Sequence, residues 1–497
     1  MRPLAVLGIL VAFTGFVSCD RPTTRRTLIV AFGADEAPLT LNRERLGRYP
    51  LNAGMCETLV TLTPEFQIAP GLAKSWLPLT PDGVRFNLRR GVQFSDGTPV
   101  NAAAVVYTLA HAARLRLGYS FLDESSAKVI DDSTVEVRAT RPNRRLAEQL
   151  VHSTYGVISP KSDPARRPLC SGPFRFAEYV PYDHLTVVRN ERYAGPAAKV
   201  DSIIFKFIPD ENTRVLALRA GDVDLIYDVG RGNAAALARQ PGINVVGAQA
   251  GAVLLMYINR NGPAPYNQLS NASLRRAVAA ALDRKSLVEH VLGASNARVF
   301  VAQTVNPASV LGAYASMVTG VPFDTALARQ LVAQKHPTLK LIVQPGSTAR
   351  SVAEYVQAEL GRVGIAVNIE LLDPAAFESR VNGGEFDLDI ELPNQNDANP
   401  AFLLALRWYS HSGTRSAQFT HASVRFDSLV ERSLQATDAD SVRSAAAAAM
   451  HELVDVEVGA IPLAGIGRTY AVRDRVRGFV PHPSRLYQSW REVWIAP

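Results

Sequence analysis

Little in this chain of 497 residues points to chemistry of its own. It has only 3 cysteines, so at most one internal bridge can form. Its 9 histidines are never four residues apart, which leaves no helical pair to seat a metal ion. There is no Gly-x-Ser-x-Gly elbow, no His-Glu-x-x-His and no phosphate-cradling Gly-x-x-x-x-Gly-Lys. The run "SSAK", Ser125 to Lys128, has the Ser-x-x-Lys spacing of penicillin-interacting enzymes but lacks their Lys-Thr-Gly partner. Two specified positions recur by chance in a chain this long. A serine hydrolase built on Ser125 is therefore a remote alternative, and no catalytic residue, metal site or cofactor is expected. The chain also lacks a block of one charge. Its 53 basic and 46 acidic residues leave +7, yet the two signs interleave, and nucleic acid is not an expected partner. Arg-rich snatches such as "RPTTRR" and "RPNRR" read as solvated loops or a tether near anionic lipid. No repeat of fixed period and no low-complexity linker appears. Beyond the first residues, no apolar run reaches the roughly 20 residues a spanning helix needs. The best candidate, "AAAAAMHELVDVEVGAIPLAG", is broken by Glu452, Asp455 and Glu457.

What is present is a compact, turn-punctuated stretch, "LAKSWLPLTPDGVRFNLRRGVQFSDGTPV", from Leu72 to Val100. Val84, Phe86 and Leu88 alternate with Arg85, Asn87 and Arg89, the pattern of a half-buried strand. Pro81, Asp82 and Gly83 set up its start, because proline fixes the first corner of a turn and Asp-Gly tolerates the left-handed backbone of a tight reversal. A second turn, Ser95 to Gly97, ends the next short strand around Val92 and Phe94. After Pro99, Asn101 is placed to cap a helix carrying Val105, Val106, Leu109 and Ala113 at helical spacing.

The ordered string "LAKSW…PDGVRFNLRRGVQFSDGTPVNAAAVVYTL" resembles the extracytoplasmic solute-binding proteins of peptide and nickel ABC importers, family 5. Alanines in "NAAAVV" stand where the family usually has an acidic pair. The resemblance continues through "CETL", with Thr58 for the family's glycine, and "SGPFRF", with Phe174 for tyrosine. It extends to "AGDVDL", "LRRAVAAALDRKSLVEHVLG", "PFDTALARQLVAQ" and the closing "GAIPLAGIGRTYAVRDRVRGFVPHP". In this reading Asp283 caps the helix that follows it. The fold it implies is α/β, a two-lobed periplasmic binding protein type II fold with an additional small N-terminal subdomain. Residues 25–60, 170–252 and 470–497 would form the first lobe, 61–169 its extra subdomain, and 253–469 the second lobe. The hinge between lobes is expected near residues 250–255 and 468–472.

The amino terminus reads as a leader. Arg2 precedes an apolar stretch from Leu4 to Phe13, and "GFVSC" ends at Cys19, so residues 1–18 form a signal peptide. Phe16, Val17 and Ser18 before Cys19 resemble a bacterial lipoprotein box, with Phe where Leu is preferred. The resemblance implies a lipid on Cys19 that anchors the chain to the cell membrane on its outer, periplasmic side. The other reading is an ordinary secreted signal. With Cys19 so used, Cys56 and Cys170 remain, either as a bridge or, by default, as two separate buried thiols.

The resemblance also implies the role, a monomeric receptor that delivers a peptide or small-molecule ligand to ABC permease subunits. A cleft between lobes can enclose a ligand by hinge closure. Peptide-binding members hold the ligand's ammonium with an Asp four residues before a Pro, and carry a Trp three residues earlier still. The matching segment here is "ELPNQNDANPAF". Counting from Pro400, Asn396 occupies the Asp position, Pro393 the Trp position, and Asp397 lies one residue away. Asn394, Asn396 and Asp397, with Tyr49 and Trp408, are the candidate ligand contacts. The neutral Asn-rich loop suits sugars or modified peptides about as well as peptides, and it also reads as a simple cap for "PAFLLALRWY". An oligosaccharide receptor, or a sensor or chaperone of the same fold without transport, are the alternatives.

Overall fold

The computed structural model describes residues 26–33, 53–79, 81–114, 121–163, 167–293, 298–332, 336–344, 347–393, 398–412, 414–484 and 487–496. Cys19, Tyr49, Asn394, Asn396 and Asp397 lie outside the described residues.

In chain order, the elements that position the site begin with β1 (Thr27–Phe32). An inserted unit follows, made of β2 (Ala73–Leu79), β3 (Gly83–Leu88), α1 (Ala102–Arg114), β4 (Ala127–Asp131) and β5 (Thr134–Arg138). The chain then forms β6 (Phe174–Val180), β7 (His184–Arg189), β8 (Ser202–Phe207), α2 (Glu211–Ala220) and β9 (Leu225–Ile226). The long β10 (Ile243–Ile258) leads to α3 (Ala272–Ala280), β11 (Val299–Val301), β12 (Thr338–Val343), α4 (Ser347–Gly361) and β13 (Ala366–Leu371). Last come β14 (Leu388–Glu391), α5 (Ala401–Arg407), α6 (Val424–Gln435), α7 (Ala439–His451) and β15 (Ala460–Arg473).

The first expected strand of the 72–100 stretch and the helix cap after it are present, but the second expected strand, around Val92 and Phe94, is only an isolated bridge between Gln93 and Pro99. Val84, Phe86 and Leu88 are buried on β3, and Asn101 Oδ1 accepts from the Ala104 amide at 3.1 Å. Asp283 accepts from the Ser286 amide at 3.0 Å, capping the turn it precedes. β2, β3, β5 and β4 form a separate four-stranded sheet. Its apolar face continues into helices of the second lobe. One buried cluster runs from Phe86 and Leu109 to Phe402, Trp408, Phe426 and Val430, and the Arg144 amide donates to the Leu434 carbonyl at 3.0 Å.

The main sheet is ordered β13-β12-β14-β10-β15-β9-β1-β8-β7-β6, with β11 also pairing β15. Two long antiparallel strands, β10 of 16 residues and β15 of 14, run through its middle. One end of this pair carries β14 at Leu255 to Ile258, and the other carries β9 at Ala471 and Val472. The pairing slips between Gly247 and Ala250, between Ala250 and Ala252, and between Leu254 and Leu255. Bulges bend and twist a strand pair, so the irregular segment lies where the two halves meet. On β10 it covers the expected hinge. On β15 its partners run from Pro462 to Thr469, earlier than the expected 468–472.

Cys56 and Cys170 are not two thiols. They are disulfide-bonded, with Cα atoms 4.7 Å apart, inside the range a bridge requires. The outgoing and returning chains run side by side here, since the Gly172 amide donates to the Met55 carbonyl at 2.7 Å and the Phe174 amide to the Gly54 carbonyl at 3.1 Å. That pairing joins residues 114 apart in sequence, which spacing alone could not reveal. Beside it, half-buried Glu57 accepts from Ser171 Oγ at 2.8 Å and from Arg89 Nη2 at 2.7 Å. Burial raises the Glu57 carboxyl above its usual range despite these partners.

Candidate functional site

Strand directions locate the site before any side chain does. β1 pairs with β8 and β9 in parallel, and β9 runs antiparallel to β15, which travels from the second lobe to the first. The carboxyl ends of β1, β8 and β9 therefore face the second lobe. β14 runs antiparallel to β10, which travels the other way, and β12 and β13 are parallel to β14. Their carboxyl ends face the first lobe. Ligands of open α/β sheets bind beyond the carboxyl ends of the strands, and here two such sets confront each other across β10 and β15.

On the first-lobe side, β9 runs into Tyr227 and Asp228. Both oxygens of the Asp228 carboxylate lie 2.6 and 2.7 Å from Nη1 of Arg468 on β15. This ion pair ties the strand end to the crossing pair. Asp228 has φ of 52°, a left-handed conformation that aspartate tolerates better than most residues.

On the second-lobe side, the chain goes on from β14 to Asn399 and Pro400 at the start of α5. Asn399 Oδ1 accepts from the Ala401 amide at 2.8 Å, so this asparagine opens α5. At the other end of α5, Arg407 turns back to β14. Its Nη2 donates to Glu391 Oε2 at 2.7 Å, and its guanidinium lies 5.2 Å from the centre of the Tyr257 ring. Tyr257 stacks on Trp408 at 5.1 Å with planes 14° apart. Tyr257 and Asp389 are cross-strand partners, as are Leu255 and Glu391. One face of β14 thus presents Asp389 and Glu391 to α5. Asp389 is buried, and burial, reinforced by the charge of Glu391 and opposed by Arg407, raises its carboxyl well above the usual range. Burial works against the charge of Arg407, but Glu391, Tyr257 and Asp389 outweigh it and raise its pKa.

Of the candidates named from sequence, Trp408 alone is described. It is wholly buried in its stack with Tyr257, and its indole N–H has no partner among the described residues. Sequence reasoning missed Asp389, Glu391, Arg407 and Tyr257. The signal was the alternation of acids in "FDLDIEL", which reads as the solvated face of a strand until α5 is seen to cover it.

The hydrolase alternative finds no support at Ser125. Its Oγ donates to Asp123 Oδ1 at 2.8 Å within an exposed turn, and Lys128 is exposed. Among the described residues no group of three or more His, Cys, Asp or Glu side chains could hold a metal ion, and no helix is long and apolar enough to cross a membrane.

Residues 67–414 match the family model for bacterial extracellular solute-binding proteins, family 5 Middle. A glutathione-binding protein, GsiB of Salmonella choleraesuis (strain SC-B67), is 28% identical over 323 residues, 61% of this chain and 61% of that protein. The chain thus spans about three fifths of the length of the curated relatives it matches. The solved structure of the binding protein AgaA from A. tumefaciens R10 with agropinic acid superposes with a TM-score of 0.81 at 20% identity, covering 95% of this chain and 99% of that one. DppA from Helicobacter pylori, an ABC transporter-associated periplasmic binding protein solved with the peptide STSA, gives 0.80 at 20% identity and the same coverage. These likenesses identify the fold as the two-lobed type II binding-protein fold.

Proposed function

Since this chain belongs to the bacterial extracellular solute-binding proteins, family 5, we propose that it is a non-enzymatic receptor of an ABC importer. It captures an extended solute, a peptide before other classes, between its lobes and hands it to the permease as a monomer. The observation that carries this reading is the confrontation of carboxyl strand ends across the two crossing strands, a geometry suited to enclosing a ligand and releasing it by a hinge. Asn394, Asn396 and Asp397 follow β14 within a few residues of sequence, which supports them as ligand contacts, and Tyr49 is proposed with them from the resemblance. Trp408 contributes by holding Tyr257 in place through their stack. The disulfide at the base of the inserted unit fits an oxidising compartment outside the cytoplasm. Residues 1–18 serve as a leader, and a lipid on Cys19 holds the mature chain at the membrane. The lobes run over residues 25–60, 170–252 and 470–497 for the first, with 61–169 as its extra subdomain, and 253–469 for the second.

Native mass spectrometry of the chain purified from its own host tests the receptor reading. A stoichiometric small-molecule adduct, lost on unfolding, is expected. A chain that carries none, and gains none when incubated with extract of the growth medium, would overturn it. For the anchor, Cys19→Ser should abolish acyl incorporation and move the protein out of the membrane fraction; retention at the wild-type level would contradict it.

A further inference from the structure

The run "RPNRR", Arg141 to Arg145, reads from sequence as a solvated loop or a lipid tether, and the structure places it against the other half of the molecule. Its own unit is fastened to the first lobe, by the Cys56–Cys170 bridge and by the Ser95 amide, which donates to the Cys170 carbonyl at 2.9 Å. Yet the Arg144 amide reaches the second lobe, where it donates at 3.0 Å to the carbonyl of Leu434 in the last turn of α6. The side chains around this bond are charged in the matching sense. Asp438, at the start of α7, supports the charge of half-buried Arg145, and the charge of Arg141 acts on Tyr409, whose Oη donates to Glu431 Oε1 at 2.6 Å. Cations beside the carbonyl end of a helix are favoured. The turn that presents these arginines is built locally, since Asn143 is wholly buried and its Oδ1 accepts from the Arg145 amide at 3.0 Å.

A second contact of the same kind joins the lobes elsewhere. Arg231 opens the short helix Arg231–Leu237 after β9, whose Leu237 packs with Ile226 and Ala471 in the first lobe. Gly293 ends the helical turns Leu287–Leu292, whose Leu287 and Val288 pack with Met256 and Leu388 in the second. The Arg231 side chain lies over Gly293, so close that a Cβ there would clash with it. Gly293 is buried, while the arginine across from it is exposed. Its φ of 74° is the left-handed turn that commonly closes a helix, and such an end favours a cation.

We propose that these arginines are closing latches: Arg141 and Arg145 at the α6–α7 end, and Arg231 at Gly293, favour the closed state and let go as the receptor opens, so that opening responds to salt. This rests on the solute-receptor reading and its two lobes. The apolar cluster that crosses the first of these seams adds attraction without that salt dependence. A permanent seam, by contrast, predicts that lobe separation ignores these side chains.

Small-angle scattering and hydrogen exchange test this on the protein stripped of solute by unfolding and refolding with its disulfide intact. They should be run at about 0.01 M and about 1 M salt, where charges are screened over about 30 and about 3 Å. The stripped wild type should have the smaller radius of gyration at low salt. The triple variant Arg141→Gln, Arg145→Gln, Arg231→Gln should show the larger radius at both, and its Arg144 amide should exchange about 2- to 30-fold faster at low salt, the span of two weak surface charge contacts. Lysine at the three positions should restore most of the wild-type behaviour. A wild-type radius indifferent to salt, or a glutamine variant with the wild type's radius and exchange at low salt, would overturn the latches. Neither result touches the receptor reading, which falls only if no solute co-purifies and none is taken up. Should the triple variant not refold, Arg231→Gln alone, at an exposed position, should still shrink the salt response; an undiminished response would overturn the latch at Gly293.

Discussion

Gly251, in the irregular part of β10, lies against the main chain of Pro483: a Cβ at position 251 would clash with the Pro483 carbonyl oxygen. The chain after β15 therefore passes directly over the strand that joins the lobes. It is fastened beyond Pro483, since Tyr487 Oη donates to the Val151 carbonyl at 2.5 Å and Trp490 packs edge-on against Phe205 at 5.4 Å. The contact is with backbone, so a methyl group cannot be accommodated by turning a side chain aside.

Gly251→Ala should accordingly lower stability by about 1–3 kcal/mol, the usual cost of overpacking. Denaturant titration measures it. A variant as stable as the wild type would mean that the 478–490 segment does not hold this position.

Reduction, or the double change Cys56→Ser with Cys170→Ser, should cost about 2–4 kcal/mol, because the bridge closes a long loop in the unfolded chain. Unfolding transitions with and without reductant should differ by this amount for the wild type and not for the double variant. Coincident transitions for the wild type would contradict the bridge.

Trp408→Ala should cost about 3–5 kcal/mol, since it empties a buried site and removes the ring stacked on Tyr257. Trp408→Phe should keep most of the packing and cost clearly less. Thermal unfolding of both variants checks the order; equal losses would place the contribution elsewhere than in ring packing.

Asp387 gives a pH dependence with a definite sign. Burial pushes its carboxyl up to about 6, against the opposing hydrogen bond from the Lys340 amide. The unfolded value is about 3.9. The folded state thus holds a proton that the unfolded state releases, and its contribution to stability is full below about pH 4 and lost as pH rises through about 6. Asp387→Asn keeps an acceptor for the Lys340 amide and does not titrate. Wild type minus variant stability should fall by about 1–3 kcal/mol between pH 4 and 7 and then level off. A difference that rises with pH would refute this.

The elements whose residues decide their own fate were legible in the sequence. The alternation at Val84, Phe86 and Leu88 gave the strand, and Asn101 and Asp283 gave their caps, because these depend on neighbours a few residues away. Long-range relations were not. Whether Cys56 meets Cys170 depends on two chain passages 114 residues apart, and Asp389 is buried only because α5 folds back over β14. The loop was readable as a candidate site from its offset to Pro400, but the acids behind it belong to a strand face whose covering helix no local pattern announces.

Hinged capture is the central claim, and small-angle scattering tests it most directly. The protein should be measured with its co-purified solute, then after the solute is stripped by unfolding and refolding, and again after the solute is restored. The account predicts a radius of gyration that rises on stripping and returns on restoration. An unchanged radius across all three, with occupancy verified by native mass spectrometry, would contradict it.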